Sequence, residues 1–316
     1  MDVADIVDRS EETTLKELCG SVLAFRAAYD DVAEQIEDLA YYEYESGGLE
    51  HAVGLLEDLA RFFEGLRNKN EEVSDDLAQV YLLIGQIYQY AGMFEESIKW
   101  LNNSIVVDDM HPVPYHSLAL AFQSIGDESL SIKSLEQEIK VAPGNYYTYL
   151  LLADLYEKNG EFAMFEDVLR RLLERDDGNV QGLHKLIRRY EQTDHAEVDL
   201  LRRRLLERAS GLSRIEAVIR AYHLERAGRG AEAIAFLEEW GDNSPDVSII
   251  HLANAHIYGQ MHLYSKKRRE LSLFKKKNRA REDVMGIKIA EFASVFGEEA
   301  AEKLKPRLRV ACPVTP

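Results

Sequence analysis

Three groups of side chains in this sequence have chemistry beyond packing. The first mixes tyrosines, carboxylates, amides and histidines: Glu34, Glu37, Tyr41, Tyr44 and Glu45; Gln86, Gln89 and Tyr90; His116 and Gln123; Tyr147, Asp154 and Lys158; then His184, Arg188, Tyr222, Arg226 and His256. Tyrosine offers rigid contact area with a hydrogen-bonding tip, so such a set suits the holding of a partner chain. The same residues can instead complete the packing between neighbouring helices. The second group is basic: Lys266, Lys267, Arg268 and Arg269, then Lys275, Lys276 and Lys277, with Arg279 and Arg281 beyond. It can meet nucleic-acid phosphates or anionic lipid. It can equally be the solvated face of a helix that buries Leu263, Tyr264, Leu271 and Phe274, and no aromatics interleave it as a base-stacking platform requires. The third group is His251, His256 and His262. Their spacings of five and six do not put them on one helix face, as the two ligands of a zinc-binding HExxH pair must be. No metal or cofactor is expected. No Ser, Cys or acid pair has a catalytic setting, so the sequence reads as that of a non-enzyme.

The elements that position these groups follow a repeat. Gly92, Gly126, Gly160 and Gly228 share one phase of a 34-residue period. Seven residues before each stands a small residue, Gly85, Ala119, Ala153 or Ala221. Three residues later come Tyr88, Phe122, Tyr156 and Leu224, and nine residues after the glycine come Leu101, Leu135, Leu169 and Leu237. Tyr81, Ile84, Gly85 and Tyr88 lie three or four apart, so they share the face of one helix. The small residue lets a second helix approach, and the glycine suits a helix C-cap. Phe94, Ser97, Leu101 and Ser104 continue the spacing down that second helix. The GxGxxA string at 228–233 is therefore a helix–helix turn and not a dinucleotide fingerprint, which needs a preceding strand.

This pattern resembles the tetratricopeptide repeat family, whose unit is a helix, a turn and a second helix. The resemblance implies an all-α fold, a right-handed α-α superhelix (solenoid) of about seven helix pairs with N- and C-terminal capping helices. Units begin near Ala78, Pro112, Tyr146, Val180, Arg214 and Ser248, with an earlier, offset one over 33–66. A polar insertion near 67–76 breaks the phase, and Asp76 with Gln79 reads as a capping box that restarts it. The unit near 180–213 is degenerate, with Asp194 in the glycine phase, and Val198, Leu201 and Leu205 supply its stripe if the helix slips. The sixth has His262 in that place. The organisation is then a capping helix over 1–32, a solenoid over 33–281, and capping helices with a tail over 282–316. Met285, Ile289, Phe292 and Phe296 mark the first of these C-terminal helices.

In this family the first helices line a concave groove that receives a peptide or helix, and the first group above occupies that phase. The resemblance thus implies a protein–protein interaction scaffold. Some members grip a terminal carboxylate with a Lys and Asn pair. Here the matching places hold Leu82, Gln86, His116, Tyr147 and Leu151, which argues against a chaperone-tail cochaperone.

Lys and Arg less Asp and Glu give −15 over residues 1–80, −9 over 81–180 and +6 over 181–316, within a net −18. An acidic first half steers basic partners over roughly a Debye length, about 8 Å at physiological salt. Cys19 and Cys312 are too few and too far apart for a disulfide framework, no apolar run spans a membrane, and the acidic start lacks a signal pattern. Together these favour a cytoplasmic protein.

Overall fold

The structure is a computed structural model that describes residue 44 and residues 47–67, 73–207, 211–242, 248–278 and 282–308. The expected helix over 1–32, the groove residues Glu34, Glu37, Tyr41 and Glu45, and the tail beyond 308 lie outside the described residues. Every regular element among the described residues is a helix. They are α1 (Leu49–Arg67), α2 (Val73–Tyr90), α3 (Phe94–Val107), α4 (Pro112–Ser124), α5 (Glu128–Val141), α6 (Tyr146–Lys158), α7 (Phe162–Arg175), α8 (Val180–Gln192), α9 (Val198–Glu207), α10 (Arg214–Arg226), α11 (Gly230–Asp242), α12 (Ser248–Gln260), α13 (Tyr264–Lys277), α14 (Glu282–Phe296), α15 (Glu298–Glu302) and α16 (Lys305–Leu308). The chain divides into two compact units, one ending at Phe165 and one starting at Glu166.

The turns explain the period. Each residue in the glycine phase has a left-handed backbone: φ is 75° at Gly92, 81° at Gly126, 72° at Gly160 and 76° at Gly228. The substitutes adopt it too, with φ 51° at Asp194 and 59° at His262. That conformation reverses the chain so that the next N–H closes onto the third carbonyl from the helix end. Met93 donates to Tyr88 (2.9 Å), His195 to Tyr190 (3.0 Å) and Leu263 to Tyr258 (2.8 Å). This is the double-bonded helix stop that glycine favours. It costs a side-chain-bearing residue strain, which Asp and His tolerate better than a β-branched residue.

The small residues have a different cause. A Cβ on Gly85 would stand 2.7 Å from Cγ of Leu101, so α2 and α3 can touch only where the side chain is missing. Leu101, Leu135, Leu169 and Leu237 are all fully buried, as are the small residues Ala119, Ala153 and Ala221. Each such leucine contributes about 1.5–3 kcal/mol by leaving water.

In the first unit, Ala52, Leu56, Leu59 and Phe63 of α1 pack on Leu77, Val80, Tyr81, Ile84 and Ile87 of α2. Helix α2 begins at Val73, so Asp76 lies in its first turn and does not cap it as expected; its carboxylate, with Asp75, complements the helix dipole there. In the second unit, α8, α10 and α12 pack successively side by side. Helix α9 has slipped as the degenerate sequence suggested: it starts four residues after Asp194 rather than two, and buries Leu201 and Leu205 while Arg203 faces solvent.

Candidate functional site

The first helices of the first unit carry part of the predicted groove, and its residues divide into those anchored within the fold and those exposed. His116 on α4 is held from below. Its Nδ1 lies 3.0 Å from Oε2 of Glu138, whose carboxylate is 2% exposed. Oε1 of Glu138 accepts from Asn145 Nδ2 (2.8 Å) and Thr148 Oγ1 (2.7 Å), so all its charge is satisfied. A buried carboxylate needs such donors. The hydrogen bond that His116 donates to Glu138 raises its pKa against the opposing effect of burial. The imidazole is thereby fixed beside Tyr147, ring centroids 6.2 Å apart.

Gln89 donates to the Ser117 carbonyl (3.4 Å) and Gln123 to Ser131 Oγ (3.1 Å), so both amides are engaged within the fold. Gln86 is half-buried, Asp154 is exposed, and Lys158 pairs with Glu128. Tyr90 is 71% exposed and Tyr147 59%, and Val113 and Leu120 are also exposed on α4. Tyr44 packs against the α1–α2 core, its ring 6.4 Å from Tyr90. Apolar and aromatic groups thus stand open along α2, α4 and α6, where water gains nothing from them.

The same phase in the second unit is covered. Helix α14 packs on α10 and α12, and its residues meet His184, Arg188, Tyr222 and His256. The Phe296 ring meets Tyr222 edge-on (5.3 Å) and His256 (4.8 Å), and stacks on Phe292 (4.6 Å, 10°). Arg188 Nη1 donates to the Ser294 carbonyl (3.1 Å), and Arg214 Nη2 reaches both oxygens of Glu291 (3.0 and 3.2 Å). Below this layer His184 Nδ1 lies 3.0 Å from His223 Nε2, both rings buried. Burial drives these histidines toward the neutral form. The pKa of His184 falls well below the usual value, that of His223 to about 3, with Arg202 and Arg226 adding repulsion, and that of His256 to about 4. Arg188 and Tyr222 are therefore placed on the expected face, but that face already has an occupant. Arg226 at its edge is exposed.

The basic run lies on α13. Lys266, Arg268, Arg269, Lys276 and Lys277 are exposed, and Lys267 and Lys275 are half-buried. Lys266 Nζ lies 5.3 Å from the centre of the Tyr258 ring. Leu271 and Phe274 are buried as expected, whereas Leu263 and Tyr264 are exposed because α13 starts only at Tyr264 and its first turn carries no apolar face. His251 pairs with Glu270 (2.8 Å), and no group of three metal-ligating side chains occurs among the described residues. Among the described residues no helix is long and apolar enough to cross a membrane.

Sequence reasoning missed Glu138, His223 and the destination of α14. Glu138 sits in a second helix, outside the phase searched for a groove. The stripe of α14 was visible, but a stripe does not name the face it covers.

The tetratricopeptide repeat family model matches residues 78–106 and 146–179, two units of the observed helix pairs. No curated protein matches the chain. Among solved structures, a tetratricopeptide repeat protein from Parabacteroides merdae is similar at 12% identity, covering 85% of this chain and 98% of that one, with a TM-score of 0.48. MamA from Desulfovibrio magneticus matches at 14% identity over 55% of this chain and 92% of its own, TM-score 0.38. YrrB, described as a tetratricopeptide repeat protein with an unusual peptide-binding site, matches at 14% over 58% and 91%, TM-score 0.39. With the 34-residue phase, the paired helices and the shared left-handed turn in hand, the chain is a tetratricopeptide repeat protein.

Proposed function

We propose that this protein is a non-catalytic interaction scaffold whose first unit receives a peptide or helix of a partner protein on the first-helix face of α2, α4 and α6. The observation that carries this reading is the exposure of Tyr90, Val113, Leu120 and Tyr147 on that one face. Tyr147 stands against an imidazole fixed by a buried carboxylate, so it offers an anchor with little entropy left to lose. Asp154 and the acidic charge of the first half favour a basic, amphipathic partner, steered by charge and held by aromatic contact. Its two cysteines suit a reducing, cytoplasmic setting. The basic face of α13 supports an alternative reading as an adaptor for nucleic acid or an anionic surface.

The test compares partners captured by the intact chain and by Tyr147→Ala. A true groove ligand loses roughly 2 kcal/mol or more with an anchor, about thirtyfold in affinity, mainly through faster dissociation. Partners whose binding is unchanged by both Tyr147→Ala and Tyr90→Ala would place the interaction on another surface.

A further inference from the structure

The second unit shows what its own first-helix face recognises, because a helix is seated there. Helix α14 buries Met285, Lys288, Ile289, Phe292, Ala293 and Val295, and over residues 284–296 it leaves Ile287, Ala290 and Ser294 as an exposed stripe. Three separate contacts fix its register and direction. The pair Phe292 and Phe296, one turn apart, enters between Tyr222 and His256. One position earlier, Glu291 is bridged by Arg214 from α10 and by Lys288 from its own helix (3.3 Å). At the far end Arg188 takes the Ser294 carbonyl, one of the last-turn carbonyls that have no partner within the helix. Anchor, charge and helix end are all read by the face. These are the parts of a helix-in-groove interface, made within one chain.

We propose that α14 is a built-in ligand that holds this face shut. The face is built for an amphipathic helix of one sort: two aromatic side chains four residues apart, an acidic residue just before the first, and a C-terminus close behind the second. A partner helix with that pattern competes with α14, which it meets at the millimolar effective concentration of a short tether. The two faces of the chain then take opposite partners, since this one presents Arg188 and Arg214 where the first unit presents Asp154. This inference does not rest on the first-unit reading, and its test leaves Tyr90 and Tyr147 untouched.

The probe is a labelled peptide with the sequence of residues 282–297, added to the full chain. Glu291→Arg places like charge against Arg214 and Lys288 and loosens α14 without removing a core aromatic. The peptide should bind this variant at least tenfold more tightly than it binds the unaltered chain. Adding Tyr222→Ala should remove at least tenfold of that gain. Amides of α14 should exchange at least tenfold faster than those of α10 and α12 in the unaltered chain. Three results would overturn the proposal. The first is a folded Glu291→Arg chain that takes up no peptide, and the second is uptake indifferent to Tyr222→Ala. The third is a Glu291→Arg chain that unfolds and is rescued by Arg214→Glu, since α14 would then be core and not ligand.

Discussion

The two units use the same helical phase for opposite ends. In the first, α2, α4 and α6 leave tyrosines and aliphatics open, and the one histidine among them, His116, is held by a carboxylate that favours its charged form. In the second, α8, α10 and α12 are covered by α14, and burial, with repulsion from nearby arginines or lysines, favours the neutral form of His184, His223 and His256. The repeat dictates where a face lies. Whether the face is surface or core depends on whether the chain supplies a helix to cover it.

The largest expected effect on this contrast comes from truncating aromatics in each unit. Phe292 is fully buried, and Phe292→Ala should cost about 3–5 kcal/mol in the second unit by the usual loss for a core aromatic, or less if α14 simply detaches. Tyr147→Ala should cost the first unit under about 0.5 kcal/mol, because an exposed side chain gives up little packing. Urea titrations followed by amide exchange, which resolves the units separately, would show both; equal losses would erase the distinction between open and covered faces.

The turns give the next effect. Gly160→Val should destabilise by more than the roughly 1 kcal/mol of a propensity change, since nothing crowds the position and the strain is all in its positive φ. Asp194→Gly should gain up to about 1 kcal/mol by relieving the same conformation in a residue with a side chain. Thermal midpoints that move together for the two variants would break the assignment of a shared turn.

Acid should separate the units by sign. His184, His223 and His256 have folded pKa values below the unfolded value of about 6.5, so the unfolded chain binds more protons and stability falls as pH drops from about 6.5 toward 4 and then 3. At pH 5 this amounts to up to about 2 kcal/mol each for His223 and His256. His116 behaves in the opposite way. Its contribution is complete below the unfolded pKa and is lost as pH rises through its raised folded value. Amide exchange at pH 5 and pH 8 should weaken the second unit at the lower pH and leave the α4–α5 region firmer there; a shift of the same sign in both would contradict the burial difference. His116→Gln should abolish the first-unit component alone.

The smallest effect is expected at α13. If its exposed cations are a solvated face, the protein shows no measurable duplex binding at low salt. Contact with about five phosphates would instead give a slope of log K on log salt near −4.5.

Much of this was legible in the sequence. The phase fixed by Gly92, Gly126 and Gly160 predicts first-helix starts at Pro112, Tyr146, Val180, Arg214 and Ser248, where the helices do begin. Local rules suffice there, because a left-handed turn and a small residue against a leucine act within one helix pair. At Val73 the rule fails by five residues, since nothing in the repeat phase limits how far a helix may extend beyond its paired stretch. The anchored state of His116 depends on Glu138, twenty-two residues on in another helix, and no periodicity couples the two. The site of α14 was the least legible. Its apolar stripe fits any complementary groove, and the choice is made by Arg188 and Arg214, whose partners no repeat phase names.

The bond from Arg188 to Ser294 joins positions 106 residues apart, whereas the helix pairs close on near neighbours. A chain made at about 5–20 residues per second exposes α8 for about 5–20 seconds before Ser294 is added. The arginine is without its cover throughout that interval, and Tyr222 and His256 join it before α14 is made. A helix already present in the surroundings would therefore meet the face before α14 does, so the order of synthesis, and not only relative affinity, can decide which helix is seated first.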